Sequence, residues 1–328
     1  MAAALTRLLK KVVRMDATDA ARPWAVADNT AGNPWTIRVG DREHKFFFVS
    51  GCYKSGTHWI QNLLNLHPKA NVKGEFHFEP LQVGYLELVN TRWYVSAKPR
   101  LRQTADASFH DFVRRMMYME TRDKPSAVWL GDRTPRAIGE YLHGAPQINI
   151  IRDGRDVMVS WNFQHLRSKQ PENLLPEMQE IALRCNADFL QNPAPYMRPD
   201  TGFMADEWWF RHHARLWAKI VGQDLVEAPS LREYGVPVLQ IVYEKLHKDF
   251  AGGVRELYEF LGLDPQEAQK PSDLTRTLPG FEGDPTKFFR KGATGEWPEY
   301  FTHKQKKWFK EEAGEVLIAA GYEKDNTW

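Results

Sequence analysis

Two segments of the chain join an apolar strand, a glycine-containing turn and a helix, and this combination restricts the fold more than any other feature. They are 46-FFFVSGCYKSGTHWIQNLL-64 and 148-INIIRDGRDVMVSWNF-163. Short apolar runs bounded by turn residues are typical of buried strands in a parallel sheet. A turn of this kind opens onto a helix N-terminus, whose unpaired N–H groups and dipole favour an anion. The pair therefore predicts an α/β protein that holds phosphates at two places.

The first turn carries the residues expected of an anion site. Gly51 and Gly56 allow tight turns and close approach of the backbone to a ligand, and Lys54, Ser55 and Thr57 add a cation and two hydroxyls. The spacing is not that of the nucleotide-triphosphate loop, because the lysine precedes Gly56 and no glycine stands at the required distance before it. This argues against an ATPase or an ordinary kinase, whose loop hydroxyl binds Mg²⁺. The alternative is a tight turn with a solvated lysine.

The second turn repeats this logic with an arginine. Arg152 follows the strand Ile148–Ile151, at the sheet edge where ligands bind in open α/β folds. Ser160 comes about two turns into the helix that follows. Arginine matches phosphate geometry bidentately, so Arg152 and Ser160 are candidate phosphate ligands. Arg155 and Asp156 are explained equally well as members of a structural ion-pair cluster.

Five motifs resemble those of the sulfotransferases that use 3′-phosphoadenosine 5′-phosphosulfate (PAPS). They are 52-CYKSGTHW-59, 152-RDGRDVMVS-160, 209-WFRHHARLW-217, 242-VYEKL-246 and 290-RKGATGEW-297. In that order they are similar to the family's 5′-phosphosulfate loop, its 3′-phosphate motif, its W-F-x-H-x-x-x-W helix, its Y-E-D-L segment and its R-K-G-x-x-G-D-W signature. The resemblance runs from about Phe46 to Trp297.

The resemblance implies an enzyme that moves a sulfuryl group from PAPS to an acceptor, releases 3′-phosphoadenosine 5′-phosphate (PAP) and needs no metal. Lys54 would stabilise charge on the leaving phosphate. The backbone N–H groups implied around that phosphate belong to Ser55, Gly56, Thr57 and His58. The residues implied at the 3′-phosphate are Arg152, Ser160, Arg290, Lys291 and Gly292. Those implied at the adenine ring are Trp59 and Tyr243.

The general base departs from the cytosolic pattern. Cytosolic sulfotransferases carry K-T-H, whose histidine accepts the proton of the acceptor hydroxyl, but the corresponding segment here is 132-DRTPR-136. Pro135 stands at the histidine position, and proline cannot accept a proton. The segment instead resembles the E-K-T-P motif of carbohydrate sulfotransferases, with Arg133 in place of the lysine. Arg133 would help to neutralise the transferred group, or else serve as a structural ion-pair residue.

A carboxylate base is the expectation that follows. The stretch 74-GEFHFEP-80 is similar to a glutamate-containing stretch of heparan-type sulfotransferases. Glu75 is the first candidate for the base, His77 the second and Glu79 the third. The alternative for Glu75 is an ion pair with a nearby lysine or arginine. His58 replaces a threonine of the family loop and either contacts the phosphosulfate or extends the helix.

The pattern along the chain predicts one sulfotransferase domain over residues 46–328, preceded by an amphipathic helix and a surface-wrapping segment in residues 1–45. The alternation of strands and helices predicts a central parallel β-sheet flanked by helices, the P-loop-like fold of the family resembled. The predicted strands are Phe46–Ser50, Ala127–Gly131, Ile148–Ile151 and Val238–Val242. The predicted helices are Phe109–Glu120, Asp153–Gln164, Leu174–Leu190, Asp206–Val221, Leu246–Leu261 and Thr302–Ala320.

Charge and cysteine content restrict location and partners. The net charge of +2 argues against a general nucleic-acid binder, and two cysteines without a CxxC pair favour a reducing, cytoplasmic compartment. Residues 4-ALTRLLKKVVRM-15 form a basic amphipathic pattern of the membrane-surface type. It is too short to span a bilayer and lacks a secretory h-region. The same helix is equally suited to pack on the protein's own core or on a second subunit.

The sequence does not decide whether the acceptor is a small molecule, a lipid or a carbohydrate. Aromatic residues that could line its pocket are Phe76, Phe78, Tyr85, Trp93 and Tyr94, although aromatic stripes more often form core. Two other functions remain open at this point. One is a nucleotide-binding protein that has lost catalysis, favoured by the missing histidine of K-T-H; the other, less favoured, is a P-loop kinase.

Overall fold

A six-stranded sheet forms the centre of the protein, in the order β3-β4-β2-β5-β6 with β1 paired to β2. The computed structural model describes residues 33–91, 99–269 and 293–328. The strands are β1 (Thr36–Val39), β2 (Arg42–Gly51), β3 (Ala70–Lys73), β4 (Trp129–Arg133), β5 (Gln147–Ile151) and β6 (Val238–Val242). β1 is antiparallel to β2, and every other neighbouring pair is parallel.

Helices cover both faces of this sheet. They are α1 (Thr57–Asn65), α2 (Glu79–Val89), α3 (Pro99–Thr121), α4 (Gly154–Leu166), α5 (Pro176–Gln191), α6 (Glu207–Glu233), α7 (Tyr243–Lys248), α8 (Phe250–Phe260) and α9 (His303–Ala319). Short 3₁₀ turns occupy Pro171–Asn173, Ala194–Met197, Gly202–Ala205, Pro265–Glu267 and Trp297–Glu299. The predicted α/β class with a central, mostly parallel sheet is confirmed. No described helix has both the length and the apolar character needed to cross a membrane.

The apolar run of β2 explains why the sheet is covered on both sides. Phe47 and Val49 pack into the cluster that includes the buried face of α1, whereas Phe46 and Phe48 pack into the cluster that includes α3. Alternate residues of a strand point to opposite faces, so a strand buried on both faces must be apolar at every position. Full burial of one such side chain contributes about 1.5–3 kcal/mol.

Several elements differ from the sequence prediction. The sheet starts earlier than predicted, because β1 and the first residues of β2 lie within the segment expected only to wrap the surface. β3 and α2 were not predicted, and α3 begins at Pro99 rather than Phe109. α6 continues past Val221 to Glu233, since its later turns bury Ala228 and Leu231 in a small core cluster. The basic segment 4–15 lies outside the described residues.

The register of the sheet aligns the ends of the five parallel strands. Gly51 pairs with Ile150 and Ile151 with Val242, while Val49 pairs with Arg133. Lys73, at the end of β3, pairs with Asp132. The carboxyl ends of parallel strands form the edge at which α/β proteins bind ligands. The segments that follow β2, β4, β5 and β6 therefore bring three of the candidate motifs and the Thr134–Arg136 segment to one edge of the sheet.

Candidate active site

The loop between β2 and α1 has the geometry of an anion cradle. Gly56 is the N-cap of α1 and has φ 102°, and within the described part of the chain no side chain caps the helix. A Cβ atom on Gly56 would lie 2.8 Å from Cδ2 of Tyr243, so only glycine fits here. The N–H groups of the first turn of an α-helix have no partner within the helix itself, and in α1 that turn begins with Thr57 and His58. Helix N-termini of this kind favour anions.

Lys54 lies in a positively charged part of this cradle. Its backbone has φ 66°, a left-handed conformation that is unfavourable for a residue with a Cβ. Burial, followed by the charges of Arg167 and Arg152, lowers the pKa of Lys54 to about 7. A bound anion would favour the ammonium form. Arg167, which follows α4, was not singled out from the sequence because no motif marks it.

Ser55 can bind a ligand through its hydroxyl but not through its backbone amide. The N–H of Ser55 donates to the carbonyl of Cys52 at 3.0 Å, so this amide, which the resemblance assigns to the phosphate, is already used in the turn. The Oγ of Ser55 is buried and has no hydrogen-bond partner among the described residues, and the same holds for Nε of Arg152. Buried polar atoms are normally paired, and these two suit an anionic ligand.

Arg152 joins three parts of the site. One guanidinium nitrogen donates to the carbonyl of Lys54 at 3.1 Å and another to the carbonyl of Ala293 at 3.0 Å. Its Cζ lies 4.3 Å from the centroid of the Tyr243 ring, and its own carbonyl accepts from Nε1 of Trp217 at 3.2 Å. The two glycine-containing turns of the sequence thus meet at this side chain.

The described part of the R-K-G-x-x-G segment lies beside the motif that contains Arg152. Asp156 at the start of α4 accepts from the backbone N–H of Gly295 at 2.6 Å and of Trp297 at 3.0 Å. Ser160 lies partly buried on the same helix. Arg290, Lys291 and Gly292 lie outside the described residues. Residues 293–297, which follow them in the chain, are bound to the motif that contains Arg152.

The two adenine candidates are in contact. The indole of Trp59 is tilted against the ring of Tyr243, with centroids 5.3 Å apart. The Trp59 ring also stacks on that of Phe250, with centroids 5.9 Å apart and an angle of 12° between the ring planes. Trp59 and Tyr243 are both buried. Tyr243 and Phe250 therefore fix the position of the Trp59 ring, which lies in the first turn of α1, directly after the Lys54 loop.

On the opposite side of the Lys54 loop, Glu75 is held between two basic side chains. Nη1 of Arg133 forms an ion pair with Oε1 of Glu75, while Nε of Arg133 donates to Oε1 of Gln61 at 2.9 Å. Nε2 of His77 lies 3.2 Å from Oε2 of Glu75. The ion pair weighed as an alternative from the sequence is present, and it orients Glu75. Glu79, the third candidate, begins α2 in an exposed position.

His58 connects these two sides electrostatically. Burial, followed by the charges of Arg133 and Lys54, lowers the pKa of His58 to about 4, and the charge of Glu75 acts in the opposite direction. The imidazole is therefore neutral at pH 7. Because Lys54, Arg133 and Glu75 all act on this one ring, they belong to one site.

The Trp-rich helix α6 contacts α4, the helix that carries Ser160. His213, not His212, is the buried histidine of this motif, and its Nδ1 is hydrogen-bonded to the carbonyl of Trp209 at 2.8 Å. Nε1 of Trp209 donates to Nδ1 of His165 at 3.0 Å. Burial, followed by the charges of His213 and Lys54, holds the pKa of His165 well below its usual range. His165 was missed from the sequence, where its only signal is its position on the helix that carries Ser160.

Comparison with known proteins identifies the family. The model of the sulfotransferase domain matches residues 144–319, which is more than half of the chain. The match includes Arg152, Ser160 and the R-K-G-x-x-G segment but begins after the Lys54 loop. None of the curated proteins matches the chain.

Solved structures of related shape were also found. A mouse sulfotransferase, SULT7A1, complexed with PAP has 18% identity and a TM-score of 0.41, over 83% of this chain and 84% of that one. Retinol dehydratase in complex with androsterone and inactive cofactor PAP has 16% identity and a TM-score of 0.46, over 88% of this chain and 82% of that one. Retinol dehydratase in a complex with retinol and PAP has 17% identity and a TM-score of 0.45, over 88% of this chain and 83% of that one. By the match to the domain model, the chain belongs to the family of PAPS-dependent sulfotransferases.

Proposed function

We propose that this sulfotransferase moves the sulfuryl group of PAPS to a hydroxyl or amine of a small-molecule, lipid or carbohydrate acceptor, by in-line displacement assisted by a general base. One observation carries this proposal: Arg152 donates to the carbonyl of Lys54 at 3.1 Å. This contact joins the turn suited to the 5′-phosphosulfate with the turn suited to the 3′-phosphate. A nucleotide with phosphate groups at both ends fits that arrangement.

The residues of the cradle have the chemistry that such a nucleotide requires. PAPS supplies a sulfuryl group that is already attached to a phosphate leaving group. The hydroxyl of Ser55 and Nε of Arg152, both buried and without partners among the described residues, would bind oxygens of the two phosphates. The uncapped N-terminus of α1 would direct the N–H groups of Thr57 and His58 at the leaving phosphate.

Lys54 would meet the charge that develops on the leaving phosphate. Preorganised donors aimed at developing charge are often the largest contribution to catalysis, and transfer of this type depends mainly on positioning. The pKa of about 7 results first from the burial of this lysine and then from repulsion by Arg167 and Arg152. An anion beside it favours the protonated form. Lys54 is thus expected to be cationic when the nucleotide is bound.

The acceptor side supports two related assignments of the base. In the first, Glu75 accepts the proton of the acceptor hydroxyl, while Arg133 keeps its carboxylate in place. In the second, Glu75 orients His77 through the 3.2 Å contact, and the other ring nitrogen of His77 accepts the proton. A base must come within hydrogen-bonding reach of the acceptor. The side chain of Glu75 is 29% exposed, so an acceptor can reach it.

Binding of PAP is expected to weaken as pH rises above about 7. Below that pH Lys54 is protonated in the free protein and ready for the anion, because its pKa is about 7. Above it, binding must take up a proton, so the dissociation constant should rise by up to about tenfold per pH unit. A phosphate monoester is largely ionised by then, since its second pKa is about 6. Calorimetric titration with PAP between pH 6 and about 9 measures this dependence.

The matched control is Lys54→Gln, in which the dependence should disappear while weaker binding remains. The same titration with ATP and Mg²⁺ separates the proposal from a P-loop kinase. Saturable binding of Mg²⁺-ATP together with no binding of PAP would contradict the proposal.

Glu75→Gln is expected to lower turnover by about 10²–10⁴-fold, the usual contribution of a general base, and to leave PAP affinity unchanged. The assay incubates enzyme and PAPS with a panel of phenols, alcohols, amines and sugars. Products that gain a sulfuryl group are then detected by mass spectrometry. His77→Gln distinguishes the two assignments: it should have a small effect if Glu75 is the base and an equally large one if His77 is.

Glu79→Gln tests the third candidate, whose carboxylate starts α2 in an exposed position; the rate should be unchanged in this variant if Glu75 or His77 is the base. An unchanged rate in both Glu75→Gln and His77→Gln would contradict both assignments. If the wild type sulfates nothing across the panel and still binds PAP, the non-catalytic nucleotide-binding function is favoured instead.

A further inference from the structure

Arg155 is buried between two tryptophan rings at the start of α4. Its Cζ lies 4.1 Å from the centroid of the Trp297 ring and 4.6 Å from that of Trp328. Arg155 is only 3% exposed. The two indoles meet edge to face, with centroids 5.5 Å apart. Cations held over aromatic rings are stabilised by the ring quadrupole, and more strongly when water is excluded.

The polar bonds of Arg155 point away from a role as phosphate ligand. Its Nε and Nη2 donate to the carboxylate of Asp153 at 3.0 and 2.8 Å, and Nη1 donates to Oε1 of Glu323 at 2.5 Å. The charge of Arg155 is therefore compensated by two carboxylates. Asp153 is the residue that follows Arg152 and is the N-cap of α4.

A second connection reaches the same turn from the same segment. The hydroxyl of Tyr322 donates to Oε2 of Glu244 at 2.8 Å, and Oε1 of Glu244 accepts from the backbone N–H of Asp153 at 3.0 Å. Glu244 follows Tyr243, the ring over which the guanidinium of Arg152 lies. Residues 322–328 thus hold Asp153, the residue next to Arg152 in the chain, in two ways: its carboxylate through Arg155 and its backbone N–H through Glu244.

We propose that residues 322–328 act as a positioning element for the end of the nucleotide that carries the 3′-phosphate. Trp328, Glu323 and Tyr322 fix the Asp153–Arg155 turn, and this turn fixes the guanidinium of Arg152. Arg152 is the residue that touches the nucleotide, whereas the residues of the segment act through it. The inference rests on the proposed function, because it assigns the 3′-phosphate to Arg152.

Nucleotide selectivity tests this inference. Adenosine 5′-monophosphate (AMP) lacks the 3′-phosphate, so it reports on the Lys54 end of the site, while PAP reports on both ends. In Trp328→Leu the dissociation constant of PAP should rise about tenfold, which corresponds to 1.4 kcal/mol. That of AMP should rise much less, because AMP meets Arg152 only through the contact of this side chain with the carbonyl of Lys54. Tyr322→Phe, which removes only one hydroxyl, should give a smaller loss in the same direction. Trp328→Phe keeps an aromatic ring and should restore most of the selectivity.

The control is Trp308→Leu. Trp308 is a buried tryptophan of α9 that also lies near cationic side chains, with Lys304 at 5.1 Å from its ring and Arg211 at 5.9 Å. Its removal lowers stability without touching Arg155, so thermal unfolding of each nucleotide-free variant separates a loss of fold from a loss of positioning. If the ratio of the dissociation constants of PAP and AMP is unchanged in Trp328→Leu, or changes equally in Trp308→Leu, the inference is overturned and the proposed function is not. A wild type that binds neither nucleotide would overturn the proposed function and the inference with it.

Discussion

Lys54→Ala is expected to reduce the rate of sulfuryl transfer by at least about 100-fold, the usual loss when one preorganised donor is removed from a developing charge. The effect should fall on turnover at saturating PAPS, because the charge on the leaving phosphate is largest in the transition state. The measurement is the initial rate of PAP release with an acceptor identified in the panel.

The nucleotide-free variant should be at least as stable as the wild type. Lys54 is a partly buried cation whose pKa is lowered by burial and by Arg167 and Arg152, so its removal relieves a desolvation cost and a repulsion. Thermal unfolding without ligand tests this. Lys69→Ala is the control, since Lys69 forms an exposed ion pair with Glu267. Full activity of Lys54→Ala would contradict the role assigned to Lys54. A lower melting temperature would contradict the predicted relief of desolvation and repulsion.

Arg152→Ala is expected to weaken PAP binding by about 100-fold, because each hydrogen bond to a charged group contributes about 1.5–3 kcal/mol. Arg152→Lys should recover only part of the affinity. Lysine keeps the charge but cannot reproduce a planar fork that stacks on Tyr243 and donates to the carbonyls of Lys54 and Ala293. Calorimetric titration with PAP gives both constants.

A matched arginine variant separates this effect from a general loss of charge. Arg211 forms ion pairs with Glu207, Glu311 and Glu312 on the surface, and Arg211→Lys should leave PAP affinity unchanged. If Arg152→Ala binds PAP as tightly as the wild type, the 3′-phosphate is not held where we propose.

The strands and helices that carry the nucleotide motifs were predictable because their signals are local. The apolar runs of β2, β5 and β6 and the helices α1 and α4 are each complete within about a dozen residues. The single helix predicted over Leu246–Leu261 was wrong, because the chain forms two helices there, α7 and α8, divided at Asp249. β3 was not predictable in this way, since it is only four residues long and reads Ala-Asn-Val-Lys. Its strand conformation depends on pairing with β4, a contact between segments far apart in sequence.

The same limit applies to the acceptor side of the site. Glu75 and Arg133 were both singled out, but their ion pair depends on the register that aligns Lys73 with Asp132. Arg155 was undecided between a ligand and a structural residue. Only the fold brings Trp297 and Trp328 to its two sides. Side chains paired across distant segments carry no periodic signal, and for that reason the sequence left these roles open.

The order of the strands has a consequence for how acceptor choice can change. β3 and β4 lie on one side of β2, and β5 and β6 on the other. Everything from β3 to β4 comes from one continuous stretch, residues 70–133, and the match to the sulfotransferase domain begins only at residue 144. A single recombination of that stretch would replace Glu75, the base we propose, together with its partner Arg133. The turns that we propose for the nucleotide, which carry Lys54 and Arg152, lie outside that stretch and would be unchanged.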